Sequence, residues 1–139
     1  FTPPLRTFYT VESSYQFHNP TCSSNEFICW PTIAPSSLDF YPEDPAGVPG
    51  WGNSLLIPSL KKGAVFRVSL SADRTNVQGQ AEQLFTTTNR YRDLAIHPNH
   101  RVFYVVTDSQ GQAAGPGGGP TGTLENSGAV LEFTAKIVN

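Results

Sequence analysis

Charge is scarce in this chain. Only 14% of the 139 residues are Asp, Glu, Lys or Arg, and nine cations against eleven carboxylates leave a net charge of −2. That balance gives no electrostatic footprint for nucleic acid or an anionic membrane surface, so any cationic site must be local. Long apolar runs are missing too: none approaches the roughly 18 residues that a membrane-spanning helix needs. No stretch keeps a sustained helical period. Cysteine is limited to Cys22 and Cys29, with six residues between them, which is not the spacing of a zinc or thioredoxin-type CxxC site. The pair reads as a disulfide closing a short loop, which implies an oxidising compartment, or as two reduced thiols.

What the chain has in quantity is glycine and proline, twelve of each. With so little charge, this is the composition of a loop-rich β protein of about one domain. The chain begins at Phe1, without Met or a leader pattern, and reads as the interior or the end of something longer. Residues 5–11 are rich in aromatic and β-branched types and predict a strand. Residues 12–31 form a loop around the cysteines, and 32–41 a second extended segment. Residues 42–52 hold three prolines and three glycines and can only be a loop. Strands follow at 54–60 and 64–70, joined by a tight turn at Lys61-Lys62-Gly63 in which Gly63 supplies a positive φ. A polar link over 71–80 leads to a short strand at 82–86. Further strands are predicted at 94–97, 102–107 and 129–137, with a turn at Pro98-Asn99-His100 and a Gly-rich loop over 111–122.

Two of these sets look like one unit repeated. Ser37-Leu38-Asp39-Phe40-Tyr41-Pro42 parallels Arg92-Asp93-Leu94-Ala95-Ile96-His97-Pro98. The strand over 54–60 parallels Val102 to Asp108, and Gly63-Ala64-Val65-Phe66-Arg67-Val68 parallels Gly128-Ala129-Val130-Leu131-Glu132-Phe133. A period of about 55–65 residues with up to four antiparallel strands is the mark of propeller blades. The expected fold is therefore all-β: the two C-terminal blades of a larger β-propeller, the last one incomplete. Residues 1–31 contribute a strand and the cysteine loop, 32–88 a four-stranded blade, and 89–139 three strands of the closing blade. Two blades cannot close a ring, and a blade without its outer strand leaves an unpaired edge.

The stretch Asn89-Arg90-Tyr91-Arg92-Asp93 sits where one unit ends and the next begins. In an extended chain Arg90 and Arg92 leave the same face, and two guanidiniums together can grip a small molecule carrying several carboxylates or phosphates. The plainer reading is two surface arginines, one paired with Asp93. Topology favours the first. In a meandering blade the turn between its second and third strands lies at the same end as the crossover into the next blade. That places Lys61, Asp108, Arg90, Arg92, Trp30 and Thr32 on one rim near the central channel. Three cations there suit a polyanion, Trp30 can stack on its ring or on a sugar, and Asp108 can hold an arginine in place from behind.

These motifs, in this order, resemble the soluble pyrroloquinoline-quinone-dependent glucose dehydrogenases. The likeness runs through Phe27-Ile28-Cys29-Trp30-Pro31-Thr32, Ser59-Leu60-Lys61, Asn89-Arg90-Tyr91-Arg92-Asp93 and Thr107-Asp108, and covers essentially the whole chain. The resemblance implies a six-bladed propeller, exported to the periplasm or secreted, typically a homodimer, that oxidises glucose or other aldoses at C1 to the lactone. The cofactors it implies are pyrroloquinoline quinone, which accepts the hydride, and calcium. By the same resemblance Lys61, Arg90 and Arg92 neutralise the quinone's three carboxylates, Thr32 hydrogen-bonds it, and Trp30 walls the sugar site. Cys22 and Cys29 form the family's disulfide. Phe27 stands where the family often has a Tyr against the cofactor, keeping the ring and lacking the hydroxyl. The general base and the calcium ligands are expected in the N-terminal remainder of the propeller, so no catalytic or metal-binding residue is assigned here and this segment alone should not turn over sugar. Alternatives are a non-catalytic sugar- or partner-binding propeller of the same fold and, more distantly, a lactonase.

Other signals are weaker. His18, His97 and His100 read as loop, strand-end and turn residues. The Gly117–Gly122 match to G-x-G-x-x-G lies in a Pro-containing loop with no helix after it, and reads as a flexible surface loop. Glu43-Asp44 reads as a solvated turn.

Overall fold

The computed structural model describes residues 2–8, 14–15, 31–114 and 119–136. Among them are seven strands and no helix. β1 (Asp39–Tyr41), β2 (Ser54–Ser59), β3 (Ala64–Leu70) and β4 (Val77–Leu84) form one antiparallel sheet in sequence order. β5 (Tyr91–Ile96), β6 (Val102–Thr107) and β7 (Val130–Thr134) form a second sheet, also in sequence order. Two consecutive meanders, one of four strands and one of three, are successive blades of a partial β-propeller.

Burial explains which strands the sequence announces. β3 is buried at six of its seven positions because it lies between β2 and β4 and is covered on both faces. β2 carries Pro58, which cannot donate to a ladder. The proline is tolerated because the β1 pairing reaches only from Ser54 to Leu56. Beyond it, the Pro58 carbonyl accepts from Ser36 N at 3.0 Å and Ser36 Oγ at 3.1 Å.

The main core lies between the two sheets. Tyr41, Leu56 and Val65 from the first meet Tyr91, Leu94, Phe103 and Val105 from the second. An aromatic layer of Trp51, Phe85 and Phe133 closes around Phe103, with Phe85 stacked on Phe133 at 4.3 Å. Complete burial of one such ring contributes roughly 1.5–3 kcal/mol. Both buried tyrosines satisfy their hydroxyls. Tyr41 donates to His100 O at 2.5 Å and accepts from Val48 N at 2.7 Å. Tyr91 donates to Phe85 O at 2.6 Å and accepts from Thr87 Oγ1 at 3.1 Å.

Several expectations need correction. The fourth strand is not a short one at 82–86 after a polar link. It runs over Val77–Leu84, taking in the last residues of that link. Its side chains are mostly exposed on both faces, so ladder bonds to β3 rather than hydrophobic alternation hold it there. Residues 5–8 are not a strand. They lie against the first sheet, with Phe8 edge-on to Phe66 at 5.5 Å and Arg6 Nη2 donating to Gln80 Oε1 at 3.1 Å; residues 9–11 lie outside the described set. Of the extended segment 32–41 only Asp39–Tyr41 is strand, preceded by an isolated bridge between Pro35 and Ser59. β5 begins at Tyr91, three residues before the expected start at Leu94, and within the described part of the expected 129–137 strand β7 covers Val130–Thr134, residue 137 lying outside the described set. Asp44 is not simply solvated. Its Oδ2 lies 2.5 Å from His100 Nδ1, joining the loop after β1 to the turn before β6. The base of the Gly-rich loop is pinned, since Ala113 and Thr121 exchange both backbone hydrogen bonds and Ala113 and Ala114 are buried.

Candidate functional site

The site is built from three connections at one end of the two sheets. The first is the turn from β2 to β3. Ser59 is fully buried, and its Oγ both donates to the Ile33 carbonyl and accepts from Lys62 N at 2.9 Å. Gly63 then turns the chain at φ 57°. A Cβ there would lie 2.5 Å from the carbonyl oxygens of both Thr87 and Asn89, so glycine is required by conformation and by close approach. That packing sets the turn against the crossover from β4 to β5, the second connection. The third is the segment after β6, whose Ala114 N donates to the Lys61 carbonyl at 2.6 Å.

Tyr91 fixes the crossover. It is fully buried between two arginines, and its carbonyl accepts from Ser36 Oγ, in the segment leading into β1, at 2.7 Å. Asn89, also fully buried, exchanges two hydrogen bonds with Asn126: its Oδ1 accepts from Asn126 N at 2.7 Å and its Nδ2 donates to Asn126 Oδ1 at 3.2 Å. Arg90 is therefore held between two locked neighbours. Around Tyr91 the period-two reading holds, with Arg90 and Arg92 leaving the side opposite the buried ring. It then fails, because Tyr91 pairs with Thr107 and Asp93 with Val106. Arg92 is the extra residue of a bulge, a feature that re-aims a side chain.

The arginines converge on Asp108 and not on Asp93, whose Oδ1 accepts from Leu94 N at 2.9 Å. Asp108 Oδ2 accepts from Arg90 Nε at 3.1 Å and Arg92 Nη2 at 2.9 Å, and its Oδ1 accepts from Arg92 Nε at 2.8 Å. The Asp108 backbone is tied on both sides, to Arg90 O and to Gly128 N, each at 2.9 Å. Arg90 spends one more donor, Nη1, on the Gln112 carbonyl at 2.5 Å. Among the described residues, Arg90 Nη2 and Arg92 Nη1 have no acceptor.

A hollow of about 330 Å³ opens beside them. Thr32, Ala34, Leu60 and Lys61 line it from the first sheet's side; Arg90, Gly111 and Gln112 line it from the second's. Thr32 is oriented by its own turn, its Oγ1 accepting from Ala34 N at 2.9 Å. Lys61 is only 5% exposed. Burial pushes its ammonium pKa below the ordinary lysine value, and the neighbouring charge of Lys62 pushes the same way. Thr32, Lys61 and Arg90 thus share one hollow. Arg92 is joined to them through Asp108 but is more exposed, at 56% for its side chain, and is not part of the lining. Three cations and one carboxylate meet at this end of the sheets, an arrangement suited to attracting and orienting a small polyanion. No cluster of three or more potential metal ligands occurs among the described residues.

Phe27, Trp30, Cys22, Cys29 and His18 lie outside the described residues. Sequence reasoning missed Gln112 and Gly111. Gly111, at φ 111°, brings its backbone so close to Arg90 that a Cβ would sit 2.8 Å from Nε. The only sequence trace of this was the glycine itself, at the start of a loop.

Comparison with known proteins adds two findings. The family model described as glucose / sorbosone dehydrogenase matches residues 7–114. The chain is also 43% identical over 136 residues to quinoprotein glucose dehydrogenase B of Acinetobacter calcoaceticus, covering 98% of this chain and 28% of that protein.

Proposed function

Because the chain belongs to the glucose / sorbosone dehydrogenase family, we propose that it is the C-terminal, cofactor-binding portion of a quinoprotein that oxidises glucose or another aldose at C1 to the lactone. The chain spans 28% of the length of the relative it matches, so the general base and the calcium site belong to the remainder of the propeller in this reading. The observation that carries it is the convergence of Thr32, Lys61 and Arg90 on one hollow, with Arg92 linked through Asp108.

The residues fit the group. Pyrroloquinoline quinone is a tricarboxylate and supplies hydride acceptance when bound. Lys61 offers a compact ammonium already stripped of most of its water, so an arriving carboxylate gains more there than at an exposed lysine. Arg90 offers a planar donor edge, with Nε and Nη1 already committed to Asp108 and Gln112 and Nη2 turned to no protein acceptor among the described residues. This side chain is set in place before the ligand arrives, which lowers the ordering cost of binding. Thr32 adds a neutral hydroxyl. Arg92 supplies longer-range field, screened by solvent. The chain's own work is binding, orientation and electrostatics. A Cys22–Cys29 disulfide, a periplasmic or secreted location and a homodimeric whole protein are part of the same proposal.

The test is reconstitution of the full-length protein with pyrroloquinoline quinone and calcium, followed by glucose oxidation with an artificial electron acceptor. Activity is expected in the wild type. Lys61→Ala and Arg90→Ala should weaken quinone binding by about tenfold or more each, the loss expected for a charge-assisted contact. A protein that binds the quinone equally well with both cations removed would overturn the assignment.

A further inference from the structure

We infer that Gln112 is a ligand-contacting residue of this site, its side-chain amide hydrogen-bonding a neutral N–H or O–H group beside the anionic edge that faces Lys61 and Arg90. The inference rests on the quinone-binding reading above and extends it to a residue with no charge.

Its basis is an acceptor without a donor. Gln112 Oε1 is buried and, among the described residues, has no hydrogen-bond partner. Buried polar atoms in folded proteins are paired in the great majority of cases, and the exceptions call for an explanation. Four such side-chain atoms occur among the described residues, on Arg6, Ser37, Thr88 and Gln112, and only Gln112 lines the hollow.

A loose loop does not account for it. The Gln112 carbonyl accepts from Arg90 Nη1 at 2.5 Å. The next two residues are buried, Ala113 N donating to Thr121 O at 2.9 Å and Ala114 N to Lys61 O at 2.6 Å. Gly111 permits the close approach to Arg90 that starts this run. The backbone is thus anchored to both lining cations while the amide end is left without a protein partner.

The chemistry of the amide suits the place. A glutamate would neutralise the cations and repel an anion, whereas an amide does neither. A ligand that presents a ring N–H or a hydroxyl next to a carboxylate satisfies Oε1 and uses the cations together. A ligand with carboxylates alone leaves Oε1 as it is. Gln112 therefore distinguishes among polyanions that the cations treat alike.

The full-length protein in calcium-containing buffer is titrated with pyrroloquinoline quinone, and thermal unfolding is followed with and without it. Gln112→Met keeps the length and removes the amide. Its quinone affinity should fall about threefold to tenfold, the worth of one neutral hydrogen bond. Its melting temperature without ligand should hold or rise, because an unpaired buried acceptor is gone. Gln112→Asn, which keeps an amide one methylene shorter, should recover part of the affinity. A Gln112→Met protein that binds the quinone as tightly as wild type overturns the inference while leaving the quinone reading intact. If Gln112→Met melts lower than wild type, the Asn variant decides: weakened binding at an unchanged melting temperature supports the inference, and unchanged binding overturns it. Absence of quinone binding by the wild type itself, with Lys61→Ala no different, overturns both readings together.

Discussion

Removing Asp108 separates the two arginines energetically, because their shared carboxylate meets them in different surroundings. Arg92 contributes two donors at 2.8 and 2.9 Å, but its side chain is 56% exposed. A pair of that kind is worth about 0–1 kcal/mol. Arg90 contributes one donor at 3.1 Å from a side chain 18% exposed, onto a carboxylate 16% exposed. A hydrogen bond between charged groups in that setting contributes about 1.5–3 kcal/mol. Asp108→Ala should therefore destabilise by about 2–3 kcal/mol, and Arg92→Ala by less than about 1 kcal/mol. A double-mutant cycle between Asp108 and Arg92 should give a small coupling that vanishes in 1 M salt, where the Debye length is about 3 Å. The cycle between Asp108 and Arg90 should give the larger coupling and keep most of it. Urea unfolding of the full-length protein and these variants, at low and high salt, measures all of this. An Asp108→Ala protein within about 0.5 kcal/mol of wild type, or equal couplings to the two arginines, would refute the view that Arg90 is the preorganised member of the pair.

Three further outcomes are expected. Gly63→Ala should cost more than about 1 kcal/mol and lower the melting temperature clearly, since the residue sits at φ 57° with two carbonyl oxygens 2.5 Å from the new Cβ. The carboxyl pKa values of Asp44, hydrogen-bonded to His100, and Glu82, hydrogen-bonded to Arg67, lie below their ordinary values. Their stabilisation is therefore present above the ordinary carboxylate range and is lost as pH falls through the folded-state values; Glu82→Gln should flatten the acid limb of a stability profile measured by urea unfolding. Lys61 has a lowered pKa, and a bound carboxylate favours its ammonium. Quinone affinity should thus fall as pH rises through the depressed Lys61 value, and this alkaline limb should disappear in Lys61→Met when affinity is measured across pH.

The parts of the fold legible in the sequence are those where one physical signal dominates. β3 and β6 stand at their predicted bounds because both are inner strands rich in apolar residues. Gly63 was legible because a tight turn after two lysines needs a positive φ. The meeting of Lys61 and Arg90 at one end was legible from repeat topology alone, which needs strand order and no side-chain detail. The remainder depended on partners distant in sequence. β4 is polar on both faces and is a strand only because β3 offers it a ladder. That Asp108 holds an arginine was legible from the same topology, but that it takes both was not, and no residue type announced the bulge at Arg92. Asp44 reaches His100 only once the two sheets have packed. Gln112 had no signal at all, since an unpaired amide is a fact of three-dimensional surroundings.

Stability alone gives no reason for this cluster. Lys61 is buried at a pKa cost, beside a second lysine, and faces the same hollow as Arg90. Like charges gathered around a half-closed space oppose folding, and Asp108 offsets part of that for the arginines. The surrounding structure compensates with devices that do little else: a glycine wedged under two carbonyls, a reciprocal Asn89–Asn126 pair, a fully buried Tyr91 between the arginines, and a loop tied to the Lys61 carbonyl. A chain that brings three of its nine cations to one end of its sheets, and locks the backbone around them, has a local conflict of the kind found at functional sites. A polyanion relieves that conflict on arrival. The same residues that make the empty site costly therefore make the occupied one tight, and the rise in unfolding temperature on binding a polyanion should shrink as salt is added, whereas that caused by an uncharged ligand should hold.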